Sequence, residues 1–150
     1  MYLDDILVFL RSEQEHEGHL RWVLQQLCAS KLYAKRAKSS FGLSEVEYLG
    51  HIVGAAGVKP DPSKLEAVRA WPEPTNVKQV QQFLGLANYY NRFVKGFAEL
   101  AAPLSNLLQK GREWVWSAEC ARSFARLKMA LCSAPVLVFP RMDLDFTLET

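Results

Sequence analysis

The sequence predicts an α+β fold whose two kinds of structure occupy different parts of the chain, and three observations carry this. Before about residue 62, short β-rich apolar runs flank one helical stretch and are punctuated by Gly42, Gly50, Gly54 and Gly57. From there to about residue 134, apolar residues recur three and four apart, the period of a helix with one buried face. Between the two lies a proline-rich stretch, Pro60, Pro62, Pro72 and Pro74, which is the clearest boundary in the chain. The 150 residues are 49% hydrophobic and 23% charged, enough apolar material for a core, which excludes a disordered chain. No apolar run approaches the roughly 20 residues needed to cross a bilayer. Asp4 and Asp5 stand where a secretory signal would carry positive charge. A cytosolic or nuclear chain is therefore expected, without a membrane partner.

Taken in order, Tyr2-Leu3 and Ile6-Leu7-Val8-Phe9-Leu10 read as two strands split by Asp4-Asp5, a β-hairpin. Its turn breaks the usual rule, because two-residue turns favour Asn-Gly or Asp-Gly. Such breaks tend to mark functional sites. A helix is expected from residue 12 or 13 to 29, with Ser12 as N-cap, Glu15 three residues on, and Leu20, Val23, Leu24 and Leu27 as its stripe. Residues 32–34, 40–43 and 46–53 read as short strands of an antiparallel sheet. Pro62 opens a short helix ending near Trp71. A longer helix runs from about 76 to 94 with Val80, Phe83, Ala87, Tyr90 and Val94 on one face. Two more cover residues 103–108 and 118–132, the last with Ser117 as N-cap and Phe124, Leu127 and Leu131 inward. Residues 136–139 and 146–148 read as strands.

Cys28, Cys120 and Cys132 form no CxxC pair, so a disulfide scaffold or zinc ribbon is not expected. His16 and His19 lie on the first helix one residue short of the HExxH spacing, and we assign them no ligand role. Trp114 and Trp116 read as packing residues. The formal charge of +2 does not announce a nucleic-acid binder. Local charge says more: Lys31, Lys35, Arg36 and Lys38 stand together with no acid between them, and Lys78, Arg92, Lys95, Lys110 and Arg112 outnumber Glu99 and Glu113 in their stretch. On charge alone these are phosphate contacts or ordinary solvated faces.

Paired carboxylates on an exposed turn suit Mg²⁺, a hard cation that takes one or two carboxylates and fills its shell with water and phosphate. The frame around this pair is specific. Tyr2-Leu3-Asp4-Asp5 followed by Ile6-Leu7-Val8-Phe9 resembles the active-site hairpin of reverse transcriptases. The resemblance continues through Tyr48-Leu49-Gly50-His51-Ile52-Val53, Gly57-Val58-Lys59-Pro60-Asp61-Pro62, Trp71-Pro72-Glu73-Pro74, Phe83-Leu84-Gly85-Leu86-Ala87-Asn88-Tyr89-Tyr90-Asn91-Arg92-Phe93, Ala102-Pro103-Leu104 and Ser133-Ala134-Pro135-Val136-Leu137. In that order these blocks are similar to the polymerase of gypsy-like LTR retrotransposons, over essentially the whole chain.

The resemblance implies an RNA-directed DNA polymerase and a division into the end of the palm (1–62), the thumb (63–112), and a connection with the start of an RNase H-like domain (113–150). It makes Asp4 and Asp5 catalytic, metal-holding carboxylates for Mg²⁺, or Mn²⁺ in its place. Tyr2 would lie under the primer terminus, and Leu49, Gly50 and His51 would form the primer grip. Gln82, Gly85, Asn88, Tyr89 and Arg92 would meet a template–primer duplex, RNA–DNA or DNA–DNA, with Arg92, Lys95, Lys35 and Lys38 on its phosphates. Deoxynucleotide triphosphates would be substrates of the full-length parent, itself packaged in a virus-like particle. The family's first palm aspartate would precede Met1, and its first RNase H aspartate would follow Thr150. The isolated chain is therefore expected not to polymerise, and its palm edge to favour self-association. Two residues keep a second reading: Gly50 as an ordinary turn glycine, and Gly85 as a helix-packing glycine. Two function classes stand beside the polymerase: a non-catalytic nucleic-acid-binding module and a non-functional remnant of a transposable element.

Overall fold

The computed structural model describes residues 4–9 and 12–139. It is a mixed α and β fold, as expected. Its α-helices are α1 (Glu13–Ala29), α2 (Pro62–Arg69), α3 (Val77–Tyr89), α4 (Phe97–Asn106) and α5 (Ala118–Cys132). Its strands are β1 (Glu45–Tyr48), β2 (His51–Gly54) and β3 (Gly57–Pro60). The strands form one sheet in the order β1-β2-β3. The chain divides into two compact units, residues 1–56 and 57–150. No helix among the described residues is long and apolar enough to cross a membrane.

In the first unit, α1 starts where its cap dictates. The Ser12 hydroxyl accepts from the Glu15 amide at 3.4 Å. The helix stops by folding its end back on itself. Lys31 takes a left-handed conformation (φ 58°), its amide bonding Cys28 and that of Leu32 bonding Leu27. This double closure satisfies two of the last carbonyls, and it usually employs glycine at the left-handed residue. The stripe of Leu20, Val23, Leu24 and Leu27 is at best half-buried, and Trp22 is exposed.

Three expectations change in this unit. Residues 5–9 lie outside any strand, although their composition is β-like. Ile6 and Phe9 are more than half exposed, where a strand of a sheet with one covered face would bury its apolar side chains. Tyr2, Leu3 and Leu10 fall outside the described residues. Residues 32–34 and 40–43 are likewise not strands; the segment between them holds a 3₁₀ turn, Arg36–Lys38. Residues 46–53 are two strands rather than one, β1 and β2 pairing antiparallel from Glu45↔Gly54 to Tyr48↔His51 around a Leu49-Gly50 turn.

The second unit holds the core. Val80, Phe83, Ala87, Tyr90 and Val94 are all buried, the stripe the periodicity predicts. They meet Val68 of α2, Ala101 and Leu104 of α4, Leu107, and Cys120, Phe124, Leu127 and Leu131 of α5. Phe83 sits at its centre, its ring 4.6 Å from Phe124 and 6.0 Å from Trp71. Trp114 and Trp116 stack at 5.8 Å, and Trp116 meets Phe124 edge-on, the packing role expected of them. Lys128 completes the wall: its ammonium donates to the Trp71 carbonyl at 2.7 Å while lying over the Phe124 ring.

Each helix of this unit has a local reason to begin. Asn76 caps α3 by accepting from the Gln79 amide at 3.0 Å, and Ser117 caps α5 by accepting from the Cys120 amide at 3.2 Å. α3 ends at Tyr89 and the chain turns through a 3₁₀ segment, Asn91–Phe93, which still buries Phe93 and Val94. α4 begins at Phe97, earlier than Pro103, and carries that proline inside it. Proline marks a favoured start, but burial of Ala101 and Leu104 against α5 extends the helix upstream. At the far end Leu137 forms a single antiparallel bridge to Val58, with both hydrogen bonds at 2.8 Å. Gly57 (φ 128°) permits it, since a Cβ there would run into the Leu137 carbonyl. The strand expected at 146–148 lies outside the described residues.

Asp61 caps α2. Its carboxylate accepts from the Ser63 amide at 2.8 Å and the Ser63 hydroxyl at 2.7 Å. The Ser63 hydroxyl first, then the Ser63 amide, with Lys64 adding attraction, hold the Asp61 carboxyl below its ordinary value against the opposing effect of burial. A carboxyl depressed on folding stabilises the fold fully above its unfolded pKa of about 3.9 and loses that contribution as pH falls through the folded value. Acid unfolding below about pH 4 should therefore be less steep in Asp61→Asn, whose amide still caps but does not titrate there. Identical pH profiles of thermal unfolding for the two proteins would remove Asp61 from the acid response.

Candidate nucleic-acid interface

The acid pair belongs to the first unit. Asp4 lies in a turn, Asp5 follows it, and both are exposed. The Tyr48 hydroxyl donates to the Asp5 carbonyl at 3.0 Å, tying this turn to the last residue of β1 across 43 positions of sequence. Two adjacent carboxylates are hard oxygen donors. Among the described residues no group of three or more His, Cys, Asp or Glu is placed to enclose a cation. The pair thus fits an ion content with one or two carboxylates and an otherwise open shell, as Mg²⁺ is, and does not fit a closed protein cage.

Beside Tyr48 the β1–β2 turn has an unusual first residue. Leu49 (φ 49°) and Gly50 (φ 68°) are both left-handed, as a two-residue turn between twisted strands requires. Asparagine or aspartate is favoured at the first position, and left-handed backbone costs a residue with a Cβ about 1 kcal/mol. The turn itself accounts for Gly50. His51 is buried, with Nδ1 2.8 Å from the Leu49 carbonyl; a carbonyl only accepts, so Nδ1 carries the proton in this contact.

The other candidate surface is on the second unit. Gln82, Gly85, Asn88 and Tyr89 of α3 and Arg92 just beyond it are exposed, on the side away from the buried stripe. Gly85 decides between its two readings. A Cβ built there meets nothing within 4 Å, so among the described residues no helix packs on it and the packing reading fails. The residue that costs a helix interior roughly 1 kcal/mol against alanine stands on open surface. Asn91 donates to the Asn88 side chain at 3.2 Å, which orients that amide at the end of the face. Lys78 and Lys95 add exposed positive charge at either end of the stretch.

Residues 1–53 match the family model described as reverse transcriptase (RNA-dependent DNA polymerase). The whole chain aligns with the retrovirus-related Pol polyprotein from transposon opus of Drosophila melanogaster at 37% identity, spanning 16% of it. An uncharacterized mitochondrial protein of Arabidopsis thaliana is 43% identical over 86% of this chain and 82% of its own length. The first third of the chain is therefore reverse transcriptase-like. The foamy viral protease-reverse transcriptase has been solved in complex with ds DNA and with an RNA/DNA hybrid. It superposes with TM-scores of 0.76 and 0.75 at 26% identity, over 87% of this chain and 23% and 18% of the respective neighbours.

Within this chain, the structure adds one residue that sequence reasoning did not single out, Tyr48. Tyr48 was quoted only as part of a motif, and its hydroxyl bond to Asp5 has no signal at a separation of 43 residues. Leu49 is expected from the resemblance in the primer grip, yet its left-handed backbone becomes legible only once 46–53 is read as two strands, because Leu-Gly is not a turn signature. Tyr2 lies outside the described residues.

Proposed function

We propose that this chain is a segment of a gypsy-like LTR-retrotransposon polymerase, in which residues 1–62 complete the palm, 63–112 form the thumb, and 113–150 lead into an RNase H-like domain. The parent reaction is RNA-directed DNA synthesis from deoxynucleotide triphosphates on a template–primer duplex. The observation that carries the binding part is the open face of α3: a glycine with nothing above it, flanked by Gln82, Asn88, Tyr89 and Arg92 and backed by a fully buried stripe. A duplex backbone needs such a low place to approach closely. Amides and a phenol beside it suit sugar and groove contacts, which read duplex shape rather than base sequence. Arg92 and Lys95 neutralise phosphates. The foamy viral neighbours, solved on ds DNA and on a hybrid, support a duplex as the ligand.

In the first unit Asp4 and Asp5 would hold Mg²⁺ or Mn²⁺. When bound there, such an ion supplies charge stabilisation to the transferring phosphoryl oxygens. Tyr48 sets where the acid turn sits by holding the Asp5 carbonyl. Leu49, Gly50 and His51 present a rigid two-residue turn to the primer end, with the His51 ring fixed against the Leu49 carbonyl.

Binding of a labelled RNA–DNA hybrid, followed by fluorescence anisotropy between 50 and 200 mM salt, tests the reading. Arg92→Ala should weaken binding and lower the salt slope by about 1, the share of one phosphate contact. Asp4→Asn should leave hybrid affinity unchanged, since positioning the duplex is the work of α3. Salt-independent binding, or an Arg92→Ala protein indistinguishable from the parent, would refute the assignment of the α3 face.

A further inference from the structure

Residues 31–43 carry Lys31, Lys35, Arg36 and Lys38 and no acid. In the 3₁₀ turn Arg36–Lys38 the Lys38 amide bonds the Lys35 carbonyl at 2.9 Å, and the Ser39 hydroxyl closes onto the same carbonyl at 3.0 Å. Lys35 and Lys38 are thereby held one turn apart, a spacing that in such a turn stacks side chains along one edge. Like charges so placed repel. Lys35, Arg36 and Lys38 are all exposed, and none is in an ion pair among the described residues. Three residues before the turn stands Tyr33, 83% exposed. An outward ring next to fixed, unneutralised cations is unfavourable in water alone, and both features become favourable with one class of ligand.

We propose that residues 33–38 bind single-stranded nucleic acid, Tyr33 stacking on a base while Lys35, Arg36 and Lys38 neutralise the adjoining phosphates. Sites for single strands combine a cationic track with an aromatic platform. A duplex buries its base faces within its own stack and leaves Tyr33 nothing to stack on. This site is therefore separate in chemistry from the α3 face, whose feature is a low place for a backbone. The choice of a polynucleotide over an anionic lipid surface rests on the nucleic-acid function proposed above.

The test uses the whole chain with a labelled oligo(dT) and, in parallel, the labelled hybrid. Tyr33→Ala should weaken oligo(dT) binding about tenfold, a single stacking contact, and Tyr33→Phe should restore it. Lys35→Ser with Lys38→Ser should lower the single-strand salt slope by about 1.4, or roughly 0.7 for each phosphate contact. The Tyr33 changes should leave hybrid affinity unaltered, since a duplex offers the ring no open base face. A Tyr33→Ala protein that binds oligo(dT) like the parent overturns the proposal, as does equal weakening toward oligo(dT) and hybrid. Displacement of the chain from oligo(dT) by phosphatidylserine vesicles, through the same residues, assigns the segment to a membrane instead and also overturns it. If Arg92→Ala has no effect on the hybrid while the Tyr33 and lysine effects stand, the α3 reading fails and this one survives.

Discussion

Phe83→Ala should lower the unfolding free energy of the second unit by about 3–5 kcal/mol. Three features set the size of the effect. Phe83 is fully buried, its ring touches Phe124 of α5 at 4.6 Å, and it meets Trp71 beyond α2 edge-on. Truncation removes a side chain that joins α3 to α5 and to Trp71 beyond α2, and the rigid helices around it can close the gap only in part. A domain of this size has about 5–15 kcal/mol in all, so much of its stability depends on one ring. Urea denaturation of the variant beside Gln81→Ala, an exposed change on the same helix expected to stay within about 0.5 kcal/mol, measures the difference. A loss under about 1 kcal/mol would show that Phe83 is not the centre of the core.

Gly85 gives the second large effect, and its two consequences have opposite signs. Gly85→Ala should stabilise α3 by about 1 kcal/mol, because alanine is the better helix former and a Cβ meets nothing within 4 Å. The same methyl occupies the space through which a duplex backbone approaches. Hybrid affinity should fall roughly tenfold, the equivalent of about 1.4 kcal/mol. Gly85→Glu should fold as well and bind worse still, since it adds a negative charge facing phosphates. Thermal unfolding and hybrid anisotropy on the same preparations read the two together. Stabilisation with undiminished affinity would leave Gly85 without a functional reason.

Helices of the second unit were legible because their signals are local and agree with one another. For α5 a serine cap, a stripe of Phe124, Leu127 and Leu131, and a length of several turns coincide, and the structure spans Ala118–Cys132 as read. The stripe of α3 was equally clear, although the chain slips into a 3₁₀ turn before Val94. α4 misled because Pro103 is a strong start signal, whereas burial of Ala101 begins the helix earlier. Strands were harder. Ile6–Phe9 has β composition but lies outside any strand, and β3 was missed because Pro60 and Pro62 read as the end of the β region, while its bridge partner Leu137 lies far along the chain. The motifs carrying the acid pair and the α3 face were visible as strings. That Gly85 faces open space, and that Tyr48 holds Asp5, are facts of three dimensions alone.

The bridge between Val58 and Leu137 fastens the first strand of the second unit to the chain just past its last described helix. Its helices hang from that point like a loop from a clasp, so the two attachment points stay put while the loop is exchanged as one piece. Chains built this way lend themselves to being inserted into, or lifted out of, a longer polypeptide without stretching their neighbours. The clasp thus closes α2 to α5 into one body.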